Sequence, residues 1–395
     1  MKKEKRNRIF LDYASITPLD KTVTREMGRV QNNFWGNPSS LHSFGEEAKN
    51  ILEEARVKIA SILQCRSSEV FFTSSGTESL NLAILGCIEP PEDGLQGEIP
   101  HIVVSTIEHP AVLEPIKFLL KNKKVEVSFI SPNENGVINP ESIKKELKEN
   151  TVLVIVQHSN NEIGTIQPIR KIKDVIENYK LKIKNSSRPY LLVDASQSVL
   201  YENVSLERLQ ADILVLDGIK MYGPRGAGIL VFRHGVQISP ISFGGGQESG
   251  LRSGTENVAS AVGLAKALEI AVKFREKEKS RLTRLRDYTI TEILKEIPNS
   301  SLNGSLESRL PNNINICIPG TDSEFLVIKL DTLGFAVSSA SACHTLSLEN
   351  GSYVIESLGK PECASSSIRI TLGRSTKKSY LDKLIVILKK ICYIY

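Results

Sequence analysis

Short, continuously apolar runs of five or six residues recur along this chain, and they constrain its fold more than any other feature. Runs that are apolar throughout, rather than alternating, are typical of strands in a sheet covered on both faces. Most of them are separated by helix-length segments such as 140–149 and 168–179. This order predicts a mostly parallel α/β sheet, with ligands bound at the carboxyl ends of its strands. The runs are HIVVS (101–105), VEVSFI (125–130), TVLVIV (151–156), YLLVD (190–194), DILVL (212–216) and GILVF (228–232).

The pattern changes after a long charged helix predicted over about 257–279. Beyond it we predict a helix over 280–296, strands near 314–318, 335–338 and 367–372, and a closing helix over 377–391. These elements predict a second, smaller α+β domain that includes the N-terminal segment. The predicted boundaries are 19–272 for the large domain, and 1–18 together with 273–395 for the small domain.

Composition places the chain among ordinary soluble globular proteins, with 41% hydrophobic and 24% charged residues. The net charge is +5 and part of it lies in the opening MKKEKRNR, which we interpret as a solvated tail. No other basic run with interleaved aromatics occurs, so we predict no sequence-specific nucleic-acid binding. The six cysteines include no C-x-x-C pair, which argues against a disulfide framework and a structural zinc site. No signal peptide or membrane span is predicted, and we expect a cytoplasmic protein.

Three polar groups stand out, and two of them follow predicted strands. Asp194 ends YLLVD, and Lys220 comes shortly after DILVL. The stretch SSGTES (74–79) precedes a helical segment, contains an S-x-x-E capping box, and opens a helix start that favours phosphate. A lysine for a Schiff base, a carboxylate for a pyridinium nitrogen and a phosphate cradle are what pyridoxal 5'-phosphate requires. The nucleotide-binding motifs G-x-G-x-x-G and G-x-x-x-x-G-K-[ST] are absent from the sequence.

The sequence resembles the pyridoxal-phosphate-dependent cysteine desulfurases, a class-V aminotransferase-like family whose relevant branch supplies sulfur for iron–sulfur clusters and tRNA thiolation. The resemblance implies fold type I of the pyridoxal-phosphate-dependent transferases, with a mostly parallel seven-stranded sheet in the large domain. It extends over nearly the whole chain. It is carried by FLDYASITPLD (10–20), GNPSSLHSFGEEA (36–48), FFTSSGTESLNLAILG (71–86), EHPAVLEP (108–115), NNEIGTIQPI (160–169), DASQS (194–198), KMYGPRGAGIL (220–230), GGGQESGLRSGTEN (244–257), SSASACHT (338–345) and SSSIRITLGRST (366–376).

The resemblance also implies the role of each site residue. At the cofactor ring, Lys220 would form the Schiff base, Asp194 would contact the pyridinium nitrogen, Gln197 would contact the ring oxygen, and His109 would stack on the ring and transfer protons. At the phosphate, Gly76 and Thr77 would bind from the same chain and Thr255 from across a dimer interface. Asn161 would lie beside cofactor and substrate, and Arg369 would bind the substrate carboxylate.

Cys343 matches the family's nucleophile. It lies in SSASACHTLSLENGS (338–352), a run of small and polar residues typical of a loop. The thiolate is the reactive form of cysteine, and His344 could assist its formation. We predict no resident metal, although the resemblance allows Cys343 to be a transient iron–sulfur ligand. The other cysteines lie mostly in apolar stretches, and we interpret them as inert core residues.

The approach to Lys220 departs from the family. Relatives have Ser-x-His-Lys, whose serine and histidine donate to the cofactor phosphate, whereas this chain has Asp217 and Ile219 at those positions. Two unit charges of like sign ~4 Å apart repel by on the order of 4 kcal/mol at an effective dielectric constant of 20. Three resolutions are open: Asp217 pairs with a cation such as Arg252 or Arg225, it is protonated when the cofactor binds, or the cofactor binds weakly.

The leading functional hypothesis is a homodimeric cysteine desulfurase. It would convert L-cysteine to L-alanine and a Cys343 persulfide, and pass the sulfur to an iron–sulfur scaffold or a tRNA thiolation protein. One alternative is a selenocysteine lyase or a cysteine-sulfinate-acting relative of the same fold. Another is a cofactor-poor, non-catalytic scaffold in sulfur transfer, which only Asp217 and Ile219 favour.

Overall fold

The computed structural model describes residues 8–88, 99–183, 189–339 and 351–392. Its strands are β1 (Ile9–Phe10), β2 (Val70–Thr73), β3 (His101–Ser105), β4 (Glu126–Ile130), β5 (Thr151–Ile155), β6 (Tyr190–Asp194), β7 (Ile213–Asp217), β8 (Gly228–Phe232), β9 (Ser301–Leu302), β10 (Asn313–Cys317), β11 (Phe335–Ala336), β12 (Ser338–Ser339) and β13 (Ser367–Thr371). Its α-helices are α1 (Lys21–Asn33), α2 (Ser43–Leu63), α3 (Gly76–Ile88), α4 (Pro110–Lys121), α5 (Pro140–Glu146), α6 (Ile169–Ile183), α7 (Leu206–Leu209), α8 (Val258–Glu296), α9 (Ser323–Thr332), α10 (Tyr353–Ser357), α11 (Pro361–Ala364) and α12 (Lys378–Cys392).

The central sheet has seven strands in the order β2-β8-β7-β6-β5-β3-β4. Strand β8 runs antiparallel to both β2 and β7, and the other neighbours are parallel. The predicted fold class is therefore confirmed, and all six apolar runs form strands of this sheet. Strand β2 was not among the predicted runs because its four residues, VFFT, are too few to stand out.

Helices cover the central sheet on both faces, as the continuously apolar strands predicted. In β6, Leu191 and Val193 join one buried cluster, whereas Tyr190 and Leu192 join the other. The second cluster also contains apolar side chains of α3 and α4, and the first contains side chains of α2, α6 and α8. Burial of both faces leaves the carboxyl edge of the strands as the accessible part of the sheet.

A second, antiparallel sheet has the order β12-β13-β10-β9. Nearby, β1 pairs in parallel with β11, which attaches the N-terminal segment to the C-terminal part of the chain. The two helices predicted over 257–279 and 280–296 are one helix, α8, of 39 residues. The prediction of two helices was wrong because the sequence around residue 280 has no glycine or proline to break the helix. The predicted domain boundary at 272/273 falls inside α8.

The structure contains a disulfide between Cys317 on β10 and Cys363 on α11, with a Cα–Cα distance of 5.4 Å. The prediction from the sequence, which argued against disulfides and assigned both residues to an inert core, is wrong for this pair. The two cysteines are 46 residues apart. Their proximity arises because Cys317 pairs with Ser367 at the start of β13, which follows α11 directly. The spacing of the cysteines in the sequence does not reveal a contact of this kind. Among the described helices, none combines the length and apolarity needed to cross a membrane.

A buried ion pair fixes the glycine-rich segment after β8 against the central sheet. Both terminal nitrogens of Arg56 on α2 donate to the Glu248 carboxylate at 2.8 Å, and Glu248 also accepts the backbone N–H of Phe72 at 2.8 Å. Glu248 has a left-handed backbone, with φ 47°. Removing one partner of a buried pair leaves an uncompensated charge.

We expect Glu248→Gln to lower the free energy of unfolding by roughly 3 kcal/mol, measured by urea denaturation. Glu269→Gln is the matched control, because Glu269 forms its ion pairs with Lys58 and Lys266 near the surface. Its expected cost is below about 1 kcal/mol. Equal costs for the two variants would contradict a structural role for the Arg56–Glu248 pair.

Candidate active site

The predicted site residues meet in one cavity at the carboxyl edge of the central sheet. Asp194 ends β6, Lys220 follows β7, and His109 stands between β3 and α4. Each follows a different strand, and the sheet brings these strand ends together. The cavity lining includes eight of the predicted residues, namely Gly76, Thr77, His109, Asn161, Asp194, Gln197, Lys220 and Arg369.

Lys220 stands at the end of a single 3₁₀ turn, Gly218–Lys220, directly after β7. A side chain at Gly218 would approach the Pro224 carbonyl oxygen at 2.6 Å, so the turn requires glycine there. The Lys220 ammonium donates to the carbonyl oxygens of Ala14 at 2.8 Å and Ser15 at 2.6 Å. The N-terminal segment therefore holds the lysine at the cavity wall.

Asp194 and Gln197 line the cavity next to this lysine. The Asp194 carboxylate accepts the backbone N–H of Ser196 at 3.0 Å, which orients it after the strand. The side-chain amide of Gln197 donates to the Ala14 carbonyl oxygen at 2.9 Å. Both the Lys220 amine and the Gln197 amide thus contact the same backbone oxygen.

His109 is the N-cap of α4, and its Nδ1 accepts the backbone N–H of Ala111 at 3.1 Å. An accepting Nδ1 carries no proton, so the proton of the neutral ring lies on Nε2. Burial lowers the pKa of His109, and the Lys220 ammonium lowers it further, while the Asp194 carboxylate opposes both. The ring is therefore neutral at pH 7, which suits stacking on an aromatic cofactor and proton transfer through Nε2.

Arg369 on β13 enters the cavity from the second sheet. One terminal nitrogen donates to Asp12 Oδ1 and to the Ser15 hydroxyl, both at 2.8 Å, and the other donates to the Asn161 carbonyl oxygen at 3.1 Å. Its Nε is buried and has no hydrogen-bond partner in the described part of the chain. A buried donor without a partner is costly, and an incoming carboxylate would satisfy it.

Two buried carboxyls border the site. Burial raises the pKa of Glu108 to about 8, and its Oε2 has no partner among the described residues. Burial likewise raises the pKa of Glu162 to about 7, although a hydrogen bond from the Ser352 hydroxyl and the charge of Arg369 oppose the shift. Both are protonated for part of the time near neutral pH, which lowers the cost of burying them.

Asp217 ends β7 and points its carboxylate at the start of α3. Oδ2 accepts the backbone N–H of Gly76 at 3.1 Å, and Oδ1 accepts the backbone N–H of Ile219 at 3.1 Å. Burial raises the pKa of Asp217, against the lowering effect of these two hydrogen bonds. One of the open resolutions, an ion pair of Asp217 with Arg252 or Arg225, is not formed among the described residues, and Arg252 Nε instead pairs with Glu78 Oε1 at 2.8 Å.

Thr255 does not line this cavity. Thr255 lines a separate cavity together with Glu248 and Arg252, so it does not complete the site of its own chain. Cys343 and its neighbour His344 lie outside the described residues.

The sequence reading missed Ser15 and Gln157, which line the cavity. Gln157 comes two residues after β5, and the rule that singled out Asp194 could have found it. Ser15 carries no such signal, because its contacts with Lys220 and Arg369 both join segments that are distant in the sequence.

These groups fit pyridoxal 5'-phosphate at its ring and aldehyde ends. Lys220 supplies the amine, Asp194 supplies a carboxylate for the pyridinium nitrogen, and His109 supplies a neutral aromatic ring. The phosphate end has the start of α3 at Gly76 and Thr77, whose backbone amides favour an anion. The fit is least complete there, because Asp217 already accepts from the Gly76 amide.

Comparison with known proteins agrees with a site for pyridoxal 5'-phosphate. The family model for aminotransferase class-V matches residues 9–384. The chain is 41% identical over 384 residues to "Cysteine desulfurase IscS" of Dictyoglomus turgidum, covering 97% of this chain and 94% of that protein. It is 42% identical over 380 residues to "Cysteine desulfurase IscS 1" of Archaeoglobus fulgidus, covering 96% and 95%.

A solved structure titled "NIFS-LIKE PROTEIN" superposes with a TM-score of 0.88 at 32% identity, and the match covers 98% of this chain and all of that one. The NifS-like protein from Rickettsia africae superposes with a TM-score of 0.83 at 29% identity, covering 97% of this chain and 99% of that one. The fold, the cavity around Lys220 and the matches to relatives over nearly the full length all indicate the same family. This chain belongs to the aminotransferase class-V family and, within it, to the pyridoxal-phosphate-dependent cysteine desulfurases.

Proposed function

We propose that this chain removes sulfur from L-cysteine, forming L-alanine and a persulfide on Cys343. The observation that carries the proposal is the meeting of Lys220, Asp194 and Arg369 in one cavity, with the Arg369 Nε buried and unpartnered among the described residues. An amine, a carboxylate and a guanidinium thus surround one space, which supports the reaction of an α-amino acid there. Relatives named cysteine desulfurase support the choice of substrate.

Each group has a defined task in the reaction. Arg369 binds the substrate carboxylate, and Lys220 takes and returns the proton at the substrate Cα. His109 transfers protons through Nε2. The bound cofactor supplies the electron sink for the pair released at Cα. The Cys343 thiolate attacks the substrate sulfur, so that an S–S bond forms and the C–S bond breaks, and its electron pair stays on carbon. Protonation of that carbon gives L-alanine, and an acceptor removes the persulfide sulfur.

The test is product stoichiometry. Cofactor-saturated protein, given L-cysteine and a thiol reductant, is expected to release sulfide and L-alanine in equal amounts. Formation of pyruvate and ammonia instead of alanine would show a different lyase. Parallel assays with L-selenocysteine and cysteine sulfinate decide the substrate preference. A protein without cofactor absorbance and without alanine formation would favour the scaffold alternative, to which Asp217 lends its only structural support.

Substitution of Arg369, the residue proposed to bind the substrate carboxylate, tests substrate binding. We expect Arg369→Lys to raise KM for L-cysteine about 10- to 100-fold with a smaller change in kcat, because lysine loses the fork that binds carboxylates in two places. Arg374→Lys is the matched control, since Arg374 pairs with Asp20 and does not line the cavity. An unchanged KM for Arg369→Lys, in a variant that keeps its melting temperature, would remove Arg369 from the substrate site.

We further propose that the protein works as a cytoplasmic homodimer and passes sulfur to an iron–sulfur scaffold or a tRNA thiolation protein. Thr255 lies away from the cavity of its own chain, which suits a phosphate contact with a second copy. Several large apolar side chains are exposed, among them Trp35 at 69% and Phe243 at 86%, and a partner could cover them. Light scattering of the purified protein gives the oligomeric state, and transfer of ³⁵S from labelled cysteine identifies the acceptor.

A further inference from the structure

The start of α3 is the natural place for the cofactor phosphate in this cavity. Helix α3 has 13 residues, and its first backbone amides are free of intrahelical partners by geometry. These amides and the helix dipole attract one negative group. In this chain a negative group is already present, because Oδ2 of Asp217 accepts the Gly76 amide at 3.1 Å.

Pairing of β7 with β8 fixes the backbone of Asp217 next to the start of α3. Asp217 pairs with Gly228 in the β7–β8 ladder, and a Cβ on Gly228 would lie 2.5 Å from the carbonyl carbon of Ser75. The turn that opens α3 therefore packs closely over the ends of β7 and β8. Asp217 can move its carboxylate away from Gly76 only by rotating the side chain.

Within the described part of the chain, no guanidinium pairs with the Asp217 carboxylate. Arg252 pairs with Glu78, and the described partners of Asp217 are two backbone amides. The ammonium of Lys220 favours the charged form of Asp217, whereas the Asp194 carboxylate opposes it. The carboxylate and a bound phosphate would compete for the same amide and repel each other.

We propose that Asp217 is an internal competitor of the cofactor phosphate, and that it makes this chain discriminate less between pyridoxal phosphate and pyridoxal than an uncharged residue would. This inference rests on the cofactor assignment made above. In the cofactor-free protein Asp217 caps α3. When the cofactor binds, its phosphate takes the Gly76 amide and the Asp217 side chain rotates away. Asp217 is a specificity-determining residue that acts through the phosphate end of the site.

The test compares Asp217→Ser with the wild type after removal of the cofactor. Equilibrium dialysis gives the affinities for pyridoxal phosphate and for pyridoxal. We expect Asp217→Ser to bind pyridoxal phosphate about 30-fold more tightly, equivalent to about 2 kcal/mol. Its affinity for pyridoxal, which has no phosphate to repel, is expected to stay within about threefold. Loss of the cap in Asp217→Ala is expected to lower the melting temperature of the cofactor-free protein by about 2–4 °C.

Asp322→Ala is the matched control. Asp322 caps α9 through the Phe325 amide and does not line the cavity. This variant is expected to lose a similar amount of stability and to keep both affinities. An unchanged or weaker affinity of Asp217→Ser for pyridoxal phosphate would overturn the inference. Failure of the proposed function looks different, since neither wild type nor variant would then fix the cofactor on Lys220 after borohydride reduction.

Discussion

Replacement of Lys220 by alanine is expected to lower the rate of alanine formation at least about 1000-fold. The reason is that Lys220 has two tasks, attachment of the cofactor and proton transfer at the substrate Cα, and proton transfer alone is typically worth 10²–10⁴-fold. The first measurement is the rate of alanine formation from L-cysteine. The second is the mass of tryptic peptides after borohydride reduction, which is expected to show the cofactor on the wild-type peptide with Lys220 and on no peptide of the variant.

Two controls separate this effect from misfolding. The Lys220 amine donates hydrogen bonds to the backbone carbonyl oxygens of Ala14 and Ser15, and the loss of such bonds at the cavity wall is expected to change the melting temperature little. Lys148→Ala removes a lysine that pairs with Glu126 at the surface, and it is expected to keep both cofactor attachment and rate. Covalent labelling of a different lysine in wild type would show that the site has been assigned to the wrong residue.

Replacement of Cys343 by alanine is expected to reduce sulfide release to the level without enzyme, while cofactor uptake stays unchanged. Cys343 forms the S–S bond that removes sulfur from the substrate, so the variant has no group to accept it. The measurement is sulfide release with a reductant, together with mass spectrometry of the alkylated persulfide. The expected mass shift of one sulfur lies on the peptide that contains residue 343.

The other cysteines provide the controls. Cys317 and Cys363 are joined in a disulfide and offer no thiolate. Burial raises the pKa of Cys65 to about 12 and also raises that of Cys392, so neither is a good nucleophile at neutral pH. Cys65→Ala and Cys392→Ala are expected to release sulfide at the wild-type rate. Persulfide on either of these residues in the Cys343→Ala protein would move the nucleophile away from position 343.

The central sheet could be predicted from the sequence because its strands are buried on both faces. A strand such as β6, whose side chains enter two buried clusters, has to be apolar at every position, and this leaves a visible run. Features that depend on contacts between distant segments produce no comparable pattern in the sequence. The disulfide of Cys317 and Cys363 depends on the pairing of β10 with β13. The continuity of α8 was missed because a long helix and two shorter ones share the same periodicity.

The site could be predicted in part from the position of its residues at strand ends. Asp194 and Lys220 follow apolar runs, and that rule selects them without any relative. Arg369 and His109 were found through the family resemblance, since neither residue type nor spacing singles them out. The contact between Asp217 and Gly76 joins residues 141 apart, and only the packing of α3 over β7 and β8 creates it. The sequence showed that Asp217 was unusual, but it did not show which group the carboxylate would bind.

The uninterrupted length of α8 has a mechanical consequence. At a rise of 1.5 Å per residue, its 39 residues form a rod about 58 Å long. The rod packs against α1 and α2 beside the central sheet, and against α12, β9 and β10 in the C-terminal part. One continuous helix thus links the part of the chain that bears Arg369 to the part that bears Lys220. An unbroken helix that contacts both parts therefore helps to fix the spacing between the Lys220 amine and the Arg369 guanidinium.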